Sequence, residues 1–326
     1  MGGPGRDGCR IRRHAHRPER GGSEHAAAGN AGRAFPHVSR REGEMPIKVT
    51  GPDDYRKTVE GLLQKLEANP AGKVVLGEIR GFSDEVRIEP YNKGKQALHG
   101  GTNSSVSEDN LLAGAPDGVS GRGPGYWYRG RSDDPRTPLR DERDTLMPPS
   151  ATATGAGTGS RVYFSPELYD PTSKIPAKWP DAVLVHELVH SLRYLQGLQN
   201  PIPTKEAVWE NEEEYLAVIV ENVYVSAAGG HRLRRGHGLL IPLAPPLNTS
   251  AGFLDFEMGD PGNKFKPNLD LLKIHQLVWA TFDKLAMVQA PFNPFRELAN
   301  RNRHLFRKDP KPPPPPPVWW PRLPPM

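Results

Sequence analysis

The chain has 326 residues, which is enough for one large domain or two small ones. Its 34 glycines and 36 prolines, with only 36% hydrophobic residues, place part of it outside any packed core. No apolar run reaches the ~18 residues of a membrane helix, and no apolar stretch follows the basic N-terminal residues as in a signal peptide. A soluble chain is expected, cytoplasmic or exported by a route independent of a signal peptide. The single cysteine, Cys9, excludes an internal disulfide framework and a cysteine-based metal site. The net charge of +5 is unevenly spread. Residues 1–44 hold nine arginines against five acidic residues, and residues 296–326 hold seven basic against two acidic, which leaves −4 for 45–295. The basic excess belongs to the tails and argues against a nucleic-acid-binding domain.

Residues 1–44 are rich in Gly, Ala, Arg and His and nearly devoid of aliphatic side chains. Such a segment buries too little apolar surface to offset its ordering entropy, so a disordered tail is predicted. Foldable sequence begins just after Met45, so residues 1–44 are also read as an over-called start of the reading frame. From Asp53 to Ala68, residues Tyr55, Val59, Leu62, Leu63 and Leu66 form one helical stripe, ended by Asn69-Pro70. Val74–Ile79 is a short apolar run and Glu85–Tyr91 alternates through Val86 and Ile88, so both are predicted as strands. Residues 92–159 are rich in Gly, Ser and Asp and form a long excursion, with Tyr126-Trp127-Tyr128 as its anchor. Arg161–Ser165 is predicted as a further strand. Asp181–Gln196, set between Pro180 and Gly197, is the strongest helix. Glu206–Ser226 is a second helix, ended by Gly229-Gly230, and Asn268–Val288 a third. From Lys308 onward six consecutive prolines, 312–317, precede Trp319-Trp320 and predict an extended tail. The organisation expected is a tail at 1–44, a folded domain at 46–305 and a proline-rich tail at 306–326.

The chemistry lies in His186-Glu187-Leu188-Val189-His190, an HExxH pattern. Two histidines four apart on a helix point the same way, about 40° apart, and present two imidazoles to one zinc ion. Glu187 lies between them, within reach of a metal-activated water, which suits a general base. The composition of the chain makes such a pattern rare, with roughly 0.02 chance occurrences. The surrounding helix is apolar nearly all round, through Ala182, Val183, Leu184, Val185, Leu188, Val189, Leu192 and Leu195. Two histidines and a glutamate in such a helix are costly unless satisfied. The alternative is a pair of hydrogen-bonded core histidines without metal. A catalytic zinc needs a third ligand, and the next helix opens with Glu210-Asn211-Glu212-Glu213-Glu214. An acidic, dipole-matched first turn on a solvated helix is the competing reading of these glutamates.

HELVHSLRYLQG followed by NEEEYLAVIVENVY resembles the gluzincin-type zincin metallopeptidases. More narrowly it resembles the NleD-like effector metallopeptidases of bacteria, with similar flanks in GSRVYFSP and APFNPFREL. The resemblance implies an α+β zincin-like fold, a small sheet packed on the HExxH helix and on a following Glu-bearing helix. It implies zinc as cofactor, a protein or peptide substrate, and hydrolysis of peptide bonds, in an effector or toxin acting on proteins of another cell. It carries the third ligand to Glu214, which heads the E-x-x-A pattern Glu214-Tyr215-Leu216-Ala217, with Glu213 as runner-up. His186 and His190 are the other ligands and Glu187 the base. A further donor to the scissile carbonyl oxygen is expected from Tyr224, His231 or His237. Arg193 is placed on the metal side of its helix, within reach of a ligand carboxylate. Zincins commonly bind extended substrates along an edge strand, a role assigned here to Arg161–Ser165.

A second class of function competes: a non-catalytic interaction protein, its proline run and Trp319-Trp320 a ligand for proline-recognising domains and its arginine-rich N-terminus a partner for acidic surfaces. The intact Glu187 favours the enzyme. No membrane partner is expected. Asn103-Ser104-Ser105 and Asn248-Thr249-Ser250 match a glycosylation pattern and are read as chance.

Overall fold

The computed structural model describes residues 46–91, 104–108, 155–174, 178–199, 209, 211–236 and 242–302. Both predicted tails and most of the excursion 92–159, including Tyr126-Trp127-Tyr128, lie outside these residues.

Asp53–Ala68 forms helix α1, as its stripe predicts, and buries Val59 and Leu66. The apolar run that follows is not a strand but part of a helix, α2, over Pro70–Ile79. Asn69 Oδ1 accepts from the backbone N–H of Ala71 at 2.9 Å, and Pro70 takes the first helical position. The dipeptide that stops α1 therefore also starts α2. The buried residues Ala71, Val75, Leu76 and Ile79 recur at helical spacing, which so short an apolar run does not distinguish from a strand.

Four short strands make one sheet: β1 (Ile47–Val49), β2 (Val86–Glu89), β3 (Ser104–Glu108) and β4 (Ser160–Phe164), in the order β1-β2-β4-β3. The first three in that order run parallel, and β3 is antiparallel to β4, with Ser104 opposite Phe164. The fold class is α+β, as expected. The substrate edge expected on Arg161–Ser165 is corrected by this topology. β4 is paired on both sides, and the outer strand beside it is β3.

The centre is a helix pair, α3 (Pro180–Leu195) and α4 (Glu212–Ala227). Every residue of α3 is buried, as an all-round apolar sequence requires. It packs on α1, α2, α4, β3 and β4, so the HExxH helix is enclosed by helices and by the sheet. Its C-terminal end is closed by backbone against backbone. Thr158 N–H donates to Tyr194 O at 3.0 Å. At Gly197, with φ +63°, a Cβ would lie 2.3 Å from Gly155 O, so only glycine fits. Helix α4 starts later than predicted, at Glu212, because Asn211 caps it by accepting from Glu214 N–H. Trp209 lies before the helix, and 206–208 and 210 are outside the described residues.

The C-terminal part contributes α5 (Ser250–Leu254), α6 (Pro267–Val278), α7 (Thr281–Ala286) and α8 (Pro294–Arg301). The third predicted helix, Asn268–Val288, is broken at Trp279, which is extended. Its indole is buried and donates to Gln196 Oε1 at 2.7 Å. Placing that large ring in the core outweighs one more turn of helix.

Candidate metal centre and active site

Helices α3 and α4 run antiparallel, so residues late in one face residues early in the other. This brings His186, His190 and Glu214 together, with one possible ligand atom from each lying within 4.8 Å of the others. The two Nε2 atoms are 3.2 Å apart. Glu214 places Oε2 3.2 Å from His186 Nε2 and Oε1 3.6 Å from His190 Nε2. Ligand atoms of a tetrahedral ion at ~2.0–2.1 Å lie about 3.3 Å from one another. The spacing of these three side chains fits such an ion, and the group could bind a metal. Glu214 is the third residue of α4, where a carboxylate also suits the helix dipole.

The outer nitrogen of His186 is held from behind. Nδ1 lies 3.1 Å from Glu221 Oε2, two turns after Glu214 on the same helix. Arg234 Nη1 donates to the same Glu221 oxygen at 2.7 Å. Asn222 clamps the Arg234 backbone, donating to its carbonyl and accepting from its N–H, both at 2.8 Å. A carboxylate behind Nδ1 keeps a proton there and leaves the lone pair of Nε2 toward the metal position. Burial alone would raise the Glu221 carboxyl, but Arg234 and His186 outweigh it and hold it below the usual range. Burial pulls the His186 imidazole down, but Glu214 and Glu221 together push it up to about 9. Without a metal the site therefore holds a proton. Glu221 and Arg234 were not among the expected site residues. The signal was present as a single carboxylate inside the apolar run Leu216–Val225.

Glu187 stands outside the ligand trio, and its Oε1 accepts from Ser104 Oγ at 2.6 Å. Ser104 is the first residue of β3, the outer strand, and was likewise missed.

The three glutamates opening α4 have three different surroundings. Glu212 and Glu213 are buried, which corrects the reading of a solvated acidic turn. Glu212 faces His275 at 3.7 Å. Glu213, the runner-up ligand, is taken by Arg193, whose Nη2 donates at 2.8 Å and Nε at 3.1 Å. Arg193 also donates to Leu198 O, and its guanidinium lies 5.6 Å from the ring centroid of Trp279. It is therefore turned to this structural pair rather than to the metal side. Tyr224, a candidate carbonyl donor, is spent on Asp181, donating to Oδ2 at 2.6 Å. Asp181 is paired in turn with Lys65 at 2.8 Å. His231 is exposed, and His237 lies outside the described residues.

A buried helix with two histidines four apart, facing a carboxylate on the next helix, gives a group that could hold a metal ion. Residues 44–229 match the family model Peptidase_M91, described as an effector protein family. The match spans more than half of the chain, and the chain belongs to this family of effector peptidases, in agreement with its resemblance to the NleD-like metallopeptidases. Membership implies a protein substrate. The match contains β1 to α4 and every site residue described above except Arg234, and it ends two residues after α4. No curated protein and no solved structure matches the chain. Among the described residues no helix is long and apolar enough to cross a membrane.

Proposed function

We propose that this effector peptidase is a zinc-dependent endopeptidase of zincin-like fold. In this reading His186, His190 and Glu214 hold the metal, and its targets are proteins of another cell. The observation that carries it is the 3.2–3.6 Å spacing of the three ligand groups on two antiparallel helices. The same reading takes 46–305 as the catalytic domain. Zinc bound there supplies Lewis-acid polarisation of the scissile carbonyl and acidifies a water ligand. The side chains do the rest. Glu187 takes the proton of the attacking water and passes it to the leaving nitrogen. Ser104 orients Glu187 through Oε1. Glu221, fixed by Arg234, keeps the His186 proton on Nδ1.

The test is elemental analysis of the purified chain beside its His190→Ala and Glu187→Gln variants. Wild type and Glu187→Gln are expected to hold about one zinc per chain, and His190→Ala none. Cleavage of a peptide library is expected in wild type alone. A folded wild type that takes up no zinc after incubation with the metal would overturn the proposal.

A further inference from the structure

His186 and His190 lie in the middle of α3, whose every residue is buried. Glu214 lies in the first turn of α4, where few bonds within the helix restrain the backbone and helices fray. A carboxylate oxygen stands about 6 Å from its helix axis, so a turn of only about 10° moves it by about 1 Å. Metal–ligand distances vary by only about 0.2 Å. The rotation of this first turn against α3 therefore needs a hold from outside α4.

That hold comes from α6, which lies beyond the residues that match the family model. Asn268, at the second position of α6, is buried and grips the chain on both sides of Glu214. Trp209 Nε1, before the Asn211 cap, donates to Asn268 Oδ1 at 2.9 Å. The hydroxyl of Tyr215, one residue after the ligand, donates to the Asn268 carbonyl oxygen. Asn268 is fixed in turn, its Nδ2 donating to Phe253 O at 2.9 Å. All three bonds are buried, where water does not compete for them. The Trp209 and Tyr215 rings meet edge to face, with centroids 5.0 Å apart, so the two gripped residues also hold each other. Seven residues after Asn268, and so on the same face of α6, the buried His275 faces Glu212 at 3.7 Å. Glu212 and Tyr215 are three apart and share the side of α4 turned to α6. Glu214, about 100° away from Tyr215 around the helix, is turned to the imidazoles of α3.

We propose that Asn268 is a positioning residue for the metal: by fixing Trp209 and Tyr215 it sets the rotation of the first turn of α4 and so aims the Glu214 carboxylate at His186 and His190. The proposal deepens the zinc reading above and rests on it. Asn268 acts through Tyr215, the neighbour of Glu214 in the chain. The work of the site is thereby divided. Residues 44–229 carry the ligands, and the helices that follow hold one of those ligands in place.

The test uses the full chain, its zinc affinity read by chelator competition, and the visible spectrum of cobalt(II) bound in place of zinc. Asn268→Ala is expected to lower zinc affinity about 10-fold or more and to alter the cobalt spectrum, with about one metal per chain still held at saturation. Tyr215→Phe, which removes a single bond, should lower the affinity less, about threefold. Asn293→Ala is the control for loosened packing. Asn293 is also buried and its Nδ2 donates to Leu285 O and Val288 O, both at 2.9 Å, but it holds α8 and not α4. This variant should melt earlier and keep the zinc affinity and cobalt spectrum of wild type. If Asn268→Ala melts earlier but binds zinc as wild type does, or if Asn293→Ala loses as much affinity, Asn268 is structural only and the proposal is overturned. Should Asn268→Ala fail to fold, Tyr215→Phe decides, and an unchanged affinity there overturns the proposal. In each of these cases wild type still binds zinc and the metal reading stands. A folded wild type that takes up no zinc overturns the metal reading and this proposal together.

Discussion

The α3–α4 interface carries polar pairs along its whole length, and its ends differ from its middle. At one end Arg193 grips Glu213, and at the other Asp181 accepts from Tyr224 and pairs with Lys65. Between them His186 and His190 face Glu214, and His186 also faces Glu221. All lie in the same apolar surroundings, on the same two helices. At the ends each charge has a fixed partner of opposite sign or a donor, and the pairs hold the helices in register. In the middle the Nε2 atoms and the Glu214 carboxylate converge on one point, which a proton or a cation can fill. The lesson is that a buried charge becomes structure or chemistry according to the partner its helix geometry supplies.

The largest effect expected from breaking this contrast is at Arg193. Arg193→Ala leaves Glu213 buried beside an empty position and should cost about 3–5 kcal/mol of folding stability, measured by chemical denaturation. Glu214→Gln, one residue along, should cost the metal-free protein only about 1 kcal/mol while abolishing tight zinc binding. Equal stability losses in the two variants would erase the distinction between end and middle.

Next in size is the support behind His186. Glu221→Gln should weaken zinc binding about 10–100-fold, read by competition with a chromophoric chelator, with the metal-to-chain ratio at saturation unchanged. An unaltered affinity would remove Glu221 from the site. The same pocket sets a pH dependence. With His186 raised to about 9, the metal-free site is protonated at neutral pH, so zinc entry must expel that proton. Zinc affinity should therefore rise about tenfold per pH unit up to about 9 and then flatten. Calorimetry in buffers of different ionisation enthalpy should count about one proton released per metal.

The smallest effect belongs to a solvent-exposed cluster with chemistry like that of the buried ends, Asp255 with Arg301 and Lys266. Arg301, then Lys266, hold the Asp255 carboxyl down to about 2. A lowered pKa contributes stability above the ordinary carboxylate range, and it is lost as pH falls toward 2. Exposure screens the pair, so Asp255→Asn should cost less than about 1 kcal/mol near neutrality, and salt should shrink the difference further. A loss as large as that of Arg193→Ala would show that burial is not what separates the two kinds of pair.

Several of these features can be read along the chain. His186, Glu187 and His190 carry their geometry in their spacing, because a helix alone brings residues four apart onto one face. The all-apolar flanks of α3 announce its burial, whereas the start of α4 was read six residues early, at Glu206, and is set at Glu212 by the Asn211 cap. Glu214 itself came from the resemblance and from no local rule. Three successive glutamates fan through about 200° on a helix, so each meets different surroundings, and which one meets the imidazoles depends on how α4 is rotated against α3. The helix over Pro70–Ile79 was hidden because a short apolar run satisfies either period. The break at Trp279 was hidden because periodicity does not report which ring the core must bury.

What the sequence by itself determined is the local part of this protein: the two histidines and the base on one helix, the proline and glycine that bound that helix, and membership of the effector peptidase family. Only the tertiary structure decided that Arg193 takes Glu213 and leaves Glu214 to the histidines. The same holds for Glu221 and Arg234 standing behind His186, and for Ser104 beside Glu187. The physical reason is range. Backbone periodicity fixes the direction of a side chain relative to its neighbours in the chain, whereas a partner tens of residues away is fixed only when the core closes and the helices settle into one rotation and register.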